Sequence, residues 1–256
     1  MDKLIHTALN SLNNARVRQN VSSQNLANAQ VPGFRGDEIG GRFGSIFLES
    51  DETLNTRVFT RKSEPGLFSD LQGELRQTGE QTDVAITGKG YLLIEGKNGE
   101  LGLSRRGDLT VGLDKTLRNG ADVAVLDTSL TPIVMPAFKK LFVSESGQIY
   151  IQPVGTPAGT RVLVNQLALT SGEDLDLEKD VDGTIRPRGG FIREKFNADQ
   201  NVRLKQGYLE TSNVSVFDEL INNTEIQKQY QLNVKLIALA KEMDEAGSAL
   251  MRLPNN

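Results

Sequence analysis

Few residues in this chain could do covalent or metal chemistry. Its 256 residues include one histidine and no cysteine or tryptophan, which removes thiol catalysis, disulfide frameworks and zinc sites built from Cys and His. A serine triad would have to run on His6, beside Lys3 and Thr7, with no G-x-S-x-G elbow to supply a nucleophile. His6 therefore reads as an incidental surface residue. Gly88, Gly90 and Gly96 sit near a phosphate-loop spacing, but neither GxGxxG nor GxxxxGK[ST] occurs, and turn glycines between strands explain them better. The acidic run Glu173, Asp174, Asp176, Glu178, Asp180, Asp182 is tested as a calcium loop. Counting from Glu178 puts Asp180, Asp182 and Gly183 in register, but the first place holds Glu and the twelfth holds Gly189. The clamping carboxylate is then missing, so a solvated acidic loop is the expectation. No carboxylate pair stands out among 33 acidic residues. No enzyme activity, metal or cofactor is expected.

A formal charge of −4 gives no broad positive field, which argues against nucleic acid as a partner. Asn10, Asn13, Asn14, Arg16 and Arg18 interrupt the first thirty residues, and no other run approaches membrane-spanning length. Neither a cleavable signal peptide nor direct membrane insertion is expected. The 38% apolar share is enough for a folded core.

Residues 2 to 29 contain no Pro or Gly and place Leu, Ile and Ala at helical intervals up to the breaker Val31-Pro32-Gly33, which predicts one long helix. Its apolar stripe is thin: Ile5, Leu9 and Leu12 step by four and three, but Arg16, Gln19 and Ser23 follow before Leu26. After Ser215 the chain runs without Pro to about Leu253, and Leu232, Leu236, Leu239, Met243, Ala246 and Leu250 form an unbroken 4-3-4-3-4 series. Such a series is the seam of a coiled-coil-like helix or the inner face of an amphipathic one. Residues 1 to 35 carry four basic side chains against one acidic, and residues 207 to 256 carry four against seven, so charge favours pairing of the two ends, weakly. Between them lie short strand signals at 83–87, 91–94, 101–104, 109–111, 141–143 and 148–151, with turns at Lys97-Asn98-Gly99 and Glu145-Ser146-Gly147.

The fold expected is α+β: long N- and C-terminal helices pairing in a coiled-coil-like inner layer, with a central, mostly antiparallel β domain. The boundaries are an N-terminal helix over 1–35, an extended connector over 36–79, the β domain over 80–206 and a C-terminal helix over 207–256.

The segment Ser23-Gln24-Asn25-Leu26-Ala27-Asn28-Ala29-Gln30-Val31-Pro32-Gly33-Phe34-Arg35 resembles the N-terminal signature of the flagellar rod and hook axial proteins, S-x-N-L-A-N-x-x-T-x-G-F-[KR]. Four later stretches are similar to the family's motifs in the same order: Gly73 to Gly79, Asp83 to Tyr91, Arg105-Arg106-Gly107, and Gly207-Tyr208-Leu209-Glu210-Thr211-Ser212-Asn213-Val214. Leu103-Ser104 and Val31 depart from the usual residues, and 155 to 200 matches no fixed motif. The opening residues resemble the proximal-rod branch more than the distal one.

The resemblance implies a structural subunit of the basal-body rod. Its terminal helices would assemble into the tube, with Ile5, Leu9, Leu12, Asn25, Leu26 and Asn28 and the Leu232 to Leu250 series at the interface. Pro32, Gly33, Phe34, Gly207, Ser212 and Asn213 would turn the chain between layers. It further implies other rod subunits and the flagellar export apparatus as partners, and a place in the rod within the periplasm. Gly33→Val is then expected to impair assembly while leaving the β domain folded. A secreted enzyme acting on the cell wall and a soluble β-rich binding module stay open beside this reading.

Overall fold

The computed structural model describes residues 2–48, 56–64, 66–96, 98–173, 175–180, 182–190, 199 and 201–251. The chain divides into two compact units. A helical unit takes residues 1–27, 37–67 and 215–256, and a β unit takes 28–36 and 68–214.

In the helical unit, α1 (Asp2–Ala27) and α2 (Val216–Met251) lie side by side. Ser215 caps α2, its hydroxyl accepting the Asp218 N–H at 3.3 Å, and Asp218 and Glu219 place negative charge at the positive end of the helix. The pair is antiparallel: Ser22 donates to the Glu219 carbonyl, Arg18 to Asn222 Oδ1 at 3.1 Å, and Ser11 accepts from Asn233 Nδ2 at 2.8 Å.

Burial recurs every seven residues on both helices, at Ala8, Ala15 and Ser22 on α1 and at Ile226, Asn233 and Ala240 on α2. On α1 the contact is made by small side chains, and on α2 by Ile226 together with an amide and an alanine. The Leu232 to Leu250 series is not where the two helices of one chain meet. Leu232, Leu236, Leu239 and Met243 are between 47% and 63% exposed, and Ala246 is exposed too. On α1, Leu9 is half exposed and Leu12 and Leu26 are partly buried. The side chains of Ile5 and Leu250 lie outside the described residues.

The expected connector over 36–79 is also redrawn, because β1 (Gly40–Leu48) and β2 (Thr56–Glu64) pair antiparallel as a two-stranded ribbon in the helical unit. The residues after it belong to the β unit, where β3 (Leu75–Gln77) already forms a strand.

In the β unit, β4 (Val84–Thr87), β5 (Tyr91–Glu95), β6 (Leu101–Ser104), β7 (Leu109–Val111), β8 (Leu117–Asn119) and β9 (Ala124–Val125) lead to β10 (Phe138–Val143), β11 (Gln148–Pro153) and β12 (Val162–Gln166). The chain continues through β13 (Leu169–Thr170), β14 (Leu177–Lys179), β15 (Ile185–Pro187), β16 (Arg203–Gln206) and β17 (Tyr208–Glu210). The largest sheet runs β14-β15-β6-β5-β9-β8-β7, with β13 also on β5; β10-β11-β12 form a second sheet, and β16 pairs β4 while β17 pairs β3. Every pairing is antiparallel.

β5 is the centre of this unit, since alternate side chains of a strand face opposite ways and both sets are buried. Leu92 and Ile94 join the larger core cluster with Ile86, Leu141, Ile149 and Leu204, and Tyr91 and Leu93 join the smaller one with Leu103 and Ala168. Gly99 and Gly147 close their turns at φ +74° and +82°, in the left-handed region glycine tolerates. No helix among the described residues is long and apolar enough to cross a membrane.

Because the α1–α2 contact is built on small side chains, enlarging one should separate the helices. Ala15→Leu is expected to destabilise the pair by about 1–3 kcal/mol. Amide exchange of α1 should speed up while the β5 amides stay protected.

Candidate functional site

The charged residues of the matched motifs meet inside the β unit. Glu210 ends β17, with its side chain 1% exposed, and its two oxygens are divided between two arginines. Oε2 accepts Arg105 Nε at 2.7 Å and is ion-paired with Arg105 Nη2 at 2.7 Å, while Oε1 is ion-paired with Arg35 Nη2 at 3.2 Å and accepts the Gly73 N–H at 3.0 Å. Arg105, the residue after β6, sends Nη1 to the Gly88 and Gly90 carbonyls at 2.9 and 2.8 Å and Nη2 to the Ile86 carbonyl at 3.2 Å. One guanidinium thus satisfies the turn between β4 and β5 and pairs with the carboxylate.

The main chain closes around this knot. Gly33 N–H donates to the Glu210 carbonyl at 2.8 Å, Thr211 N–H to the Glu74 carbonyl at 2.8 Å, and Asn213 N–H to the Phe34 carbonyl at 3.3 Å. Asn213 Oδ1 accepts the Gly36 N–H at 2.7 Å, and its Nδ2 donates to the Ser69 and Leu71 carbonyls. Gly33 has φ +65°, and a Cβ there would overlap the Arg105 carbonyl oxygen; a Cβ on Gly73 would overlap that of Thr211. Glycine is needed at both places so that backbone can touch backbone.

Two further ties complete the arrangement. Lys179, on β14, is buried, with Nζ 2.8 Å from the Arg35 carbonyl and 3.8 Å from the centre of the Phe34 ring. Thr78 donates to Asp83 Oδ2 at 2.6 Å, and the Gly207 N–H donates to the Asp83 carbonyl at 2.8 Å while the Gly207 carbonyl accepts from Thr78 and Gly79.

Burial, and then the neighbouring Arg105, hold Arg35 below the usual guanidinium range against the opposing pull of Glu210. Its Nε and Nη1 are buried with no hydrogen-bond partner. Burial, and then the hydrogen bond to Asp70, push the Tyr91 phenol well above its ordinary value. Nothing in this arrangement holds a nucleophile or an open acid–base pair; it fastens distant segments of one chain to each other.

The helical unit has its own fastening. Asn25 is buried, its Oδ1 accepting the Asp37 N–H at 2.7 Å and its Nδ2 donating to the Asp37 carbonyl at 3.0 Å and to Glu219 Oε1 at 2.9 Å. The amide of Asn25, a residue expected at the assembly interface, bonds within the chain and ties the end of α1 to the connector and to α2. Asn28 is partly buried in the β unit, with its carbonyl accepting the Val31 N–H. Of the expected turn residues, Gly33, Phe34, Gly207 and Asn213 belong to the knot. Pro32 is partly buried beside Gly33, and the Ser212 hydroxyl accepts the Val214 N–H at 3.1 Å. The triad Arg35, Arg105 and Glu210 was missed, although each stands inside a quoted motif.

Among the described residues no group of three or more His, Asp or Glu could hold a metal ion. In the acidic run, Arg186 occupies the place a cation would take, paired with Asp180 and, at 2.7 Å, with Asp182.

Residues 5–35 match the model of the flagella basal body rod proteins, and residues 205–250 match that of the flagellar basal body rod FlgEFG protein C-terminal region. The two matches contain Arg35 and Glu210 respectively. Both ends of the chain are thus similar to flagellar basal-body rod proteins. The chain is 26% identical to the flagellar basal-body rod protein FlgF of Salmonella typhimurium, across 99% of the chain and 100% of the relative. It is 27% identical to FlgF of Escherichia coli, with 97% of each covered. FlgG of Buchnera aphidicola subsp. Schizaphis graminum is 28% identical over 89% of the chain and 92% of the relative.

Removing one member of a buried ion pair strands the others, at about 3–5 kcal/mol. Glu210→Gln is expected to destabilise the β unit by roughly that amount, read as a lower urea midpoint of the β signal in the full chain. Gly33→Val is now expected to lower the same midpoint, which departs from the sequence-based expectation of an intact β domain, because the added side chain collides with the Arg105 backbone.

Proposed function

We propose that this chain is a subunit of the proximal rod, polymerising through its terminal helices into the helical axial tube that transmits motor torque. The observation that carries the reading is the face of α2 bearing Leu232, Leu236, Leu239 and Met243, which the chain itself leaves about half exposed. A heptad-spaced apolar face of this length, on a helix already packed elsewhere, is a contact surface for another chain. A head-to-tail contact of this kind does not close on itself, so it builds a tube instead of a ring.

Copies of the chain and other rod proteins are the partners, and Leu9, Leu12 and Leu26 of α1 contribute with the α2 face. The flagellar export apparatus delivers the chain, and the assembled subunit sits in the rod within the periplasm. Similarity to FlgF along the whole chain supports the proximal position. The second reading is the distal rod, supported by the 28% identity to a FlgG.

Leu236→Asp with Leu239→Asp should abolish swimming in a strain that depends on this chain. Both positions are exposed in the single chain, so the urea midpoint of the β unit should stay unchanged. Normal motility in that variant would sink the proposal, and recovery of the chain only from the distal end of isolated basal bodies would favour the second reading.

A further inference from the structure

The acidic run around β14 carries a carboxylate at every second residue: Asp176, Glu178, Asp180 and Asp182. Alternate residues of a strand face the same way, and β14 follows that rule. Leu177 packs on the smaller core cluster and Lys179 is buried, whereas the side chains of Asp176, Glu178 and Asp180 are 72%, 40% and 50% exposed. β14 ends the largest sheet, with β15 as its strand neighbour. Arg186 and Arg188 pair with the four carboxylates, so two guanidiniums leave the row net negative. Exposed pairs of this kind hold by no more than about 1 kcal/mol, which lets a second cationic partner share the row.

A row of opposite sign with the same step lies on the other sheet. β16 runs antiparallel beside β10, since the Leu204 N–H donates to the Glu145 carbonyl at 2.9 Å and the Gln206 amide accepts the Val143 N–H and donates to the Leu141 carbonyl. Lys205 then falls beside Ser144 and Arg203 beside Ser146. Leu204 and Leu141 both enter the larger core cluster, so Arg203, Lys205 and Lys140 turn outward, and all three are exposed. Phe142 is the outward residue between the Ser144 level and Lys140, and the exposed Arg161 stands over its ring at 4.3 Å. Arg203, Lys205, Arg161 and Lys140 thus follow one another at two-residue steps of roughly 7 Å, the step of the carboxylates along β14. Among the described residues none of the four enters an ion pair; Arg161 and Lys205 rest on the rings of Phe142 and Tyr208 instead. Glu145 in the turn and Asp199, which lines a cavity with Arg203, offset part of this charge, leaving a positive strip on a chain whose formal charge is −4.

We propose that the carboxylate row of β14 in one copy lies along the cation row of β10 and β16 in a second copy. Two different surfaces of the β unit meet, so the contact is head-to-tail and repeats from copy to copy. The matched signs set which surfaces meet. The inference rests on the rod-subunit reading for the presence of neighbouring copies, and it names a contact between their β units.

Carbodiimide joins a carboxylate to an amine where the two touch. In isolated basal bodies assembled from isotope-labelled and unlabelled chain, it should link Asp176, Glu178 or Asp180 to Lys140 or Lys205, with adducts that combine one labelled and one unlabelled peptide. Lys140→Glu with Lys205→Glu, and Asp176→Lys with Glu178→Lys, should each cut incorporation several-fold. The chain carrying all four changes should recover it, because the reversed rows attract again. The urea midpoint of the β unit shows whether each variant folds; where a reversal does not, Lys140→Gln with Lys205→Gln and Asp176→Asn with Glu178→Gln should lose incorporation in the same direction.

Several results would overturn the proposal. Adducts that never mix the two labels place the contact inside one chain. Links from Lys140 or Lys205 to a different rod protein give the strip to that protein. Folded reversal or neutral variants that incorporate normally, or a folded fourfold variant that does not recover, separate the two rows. Basal bodies that contain the chain but yield no link sink the docking and leave the subunit reading intact. Absence of the wild-type chain from basal bodies overturns both.

Discussion

The carboxylate of Glu210 shared by two buried guanidiniums is the constraint on which the β unit depends. Arg35 comes from the stretch after α1, Arg105 from the end of β6 and Glu210 from the end of β17, so three distant parts of the chain must be in place before any of the charges is paired. Taking such groups out of water costs several kcal/mol per ion, recovered only if every member finds its place. The surroundings serve that end. Carbonyls of Ile86, Gly88 and Gly90 accept the outer arms of Arg105, the Gly73 N–H supports the carboxylate, and Gly33 and Gly73 omit the side chains that would hold the backbones apart. Lys179 extends the knot into 155–200, the stretch without a fixed motif, by holding the Arg35 carbonyl.

Much of the architecture was legible in the sequence because it is written in local patterns. The two helices, their breakers and the strands at 84–87, 91–95, 101–104 and 109–111 follow from periodicity and turn glycines. The short strands β8, β9 and β13 to β17 were not legible, since two to four residues hold too little alternation to stand out and their pairing is decided by distant partners. The site was half legible. Its motifs were quoted in order, but pairing among Arg35, Arg105 and Glu210 is a three-dimensional fact, and one-dimensional spacing carries no trace of it.

The helix pair shows a different limit. Reading for large apolar residues finds the leucines of α2 and makes them the seam, whereas the helices actually close on Ala8, Ala15 and Ser22 against Ile226, Asn233 and Ala240. Small side chains let two helices approach closely, and amides such as Asn233 to Ser11 set register within the contact. The division is economical in surface: small and polar residues, with Ile226, serve the chain's own pairing, and Leu232, Leu236, Leu239 and Met243 stay available. Asn25 belongs to the first group, which is why its amide is spent on Asp37 and Glu219.

The hydrogen bonds between Gly33 and Glu210, and between Phe34 and Asn213, also make the β unit a plug-in body. The strands by which the chain enters and leaves it are neighbours, so nearly everything from Phe68 to Gln206 is an excursion that starts and finishes at one doorway. Segments could be lengthened, shortened or exchanged inside that loop without moving the doorway, as in proteins that accept whole-domain insertions between adjacent termini. Within that excursion Arg105 and Lys179 are tied to the doorway, so changes made elsewhere in the loop would leave it in place.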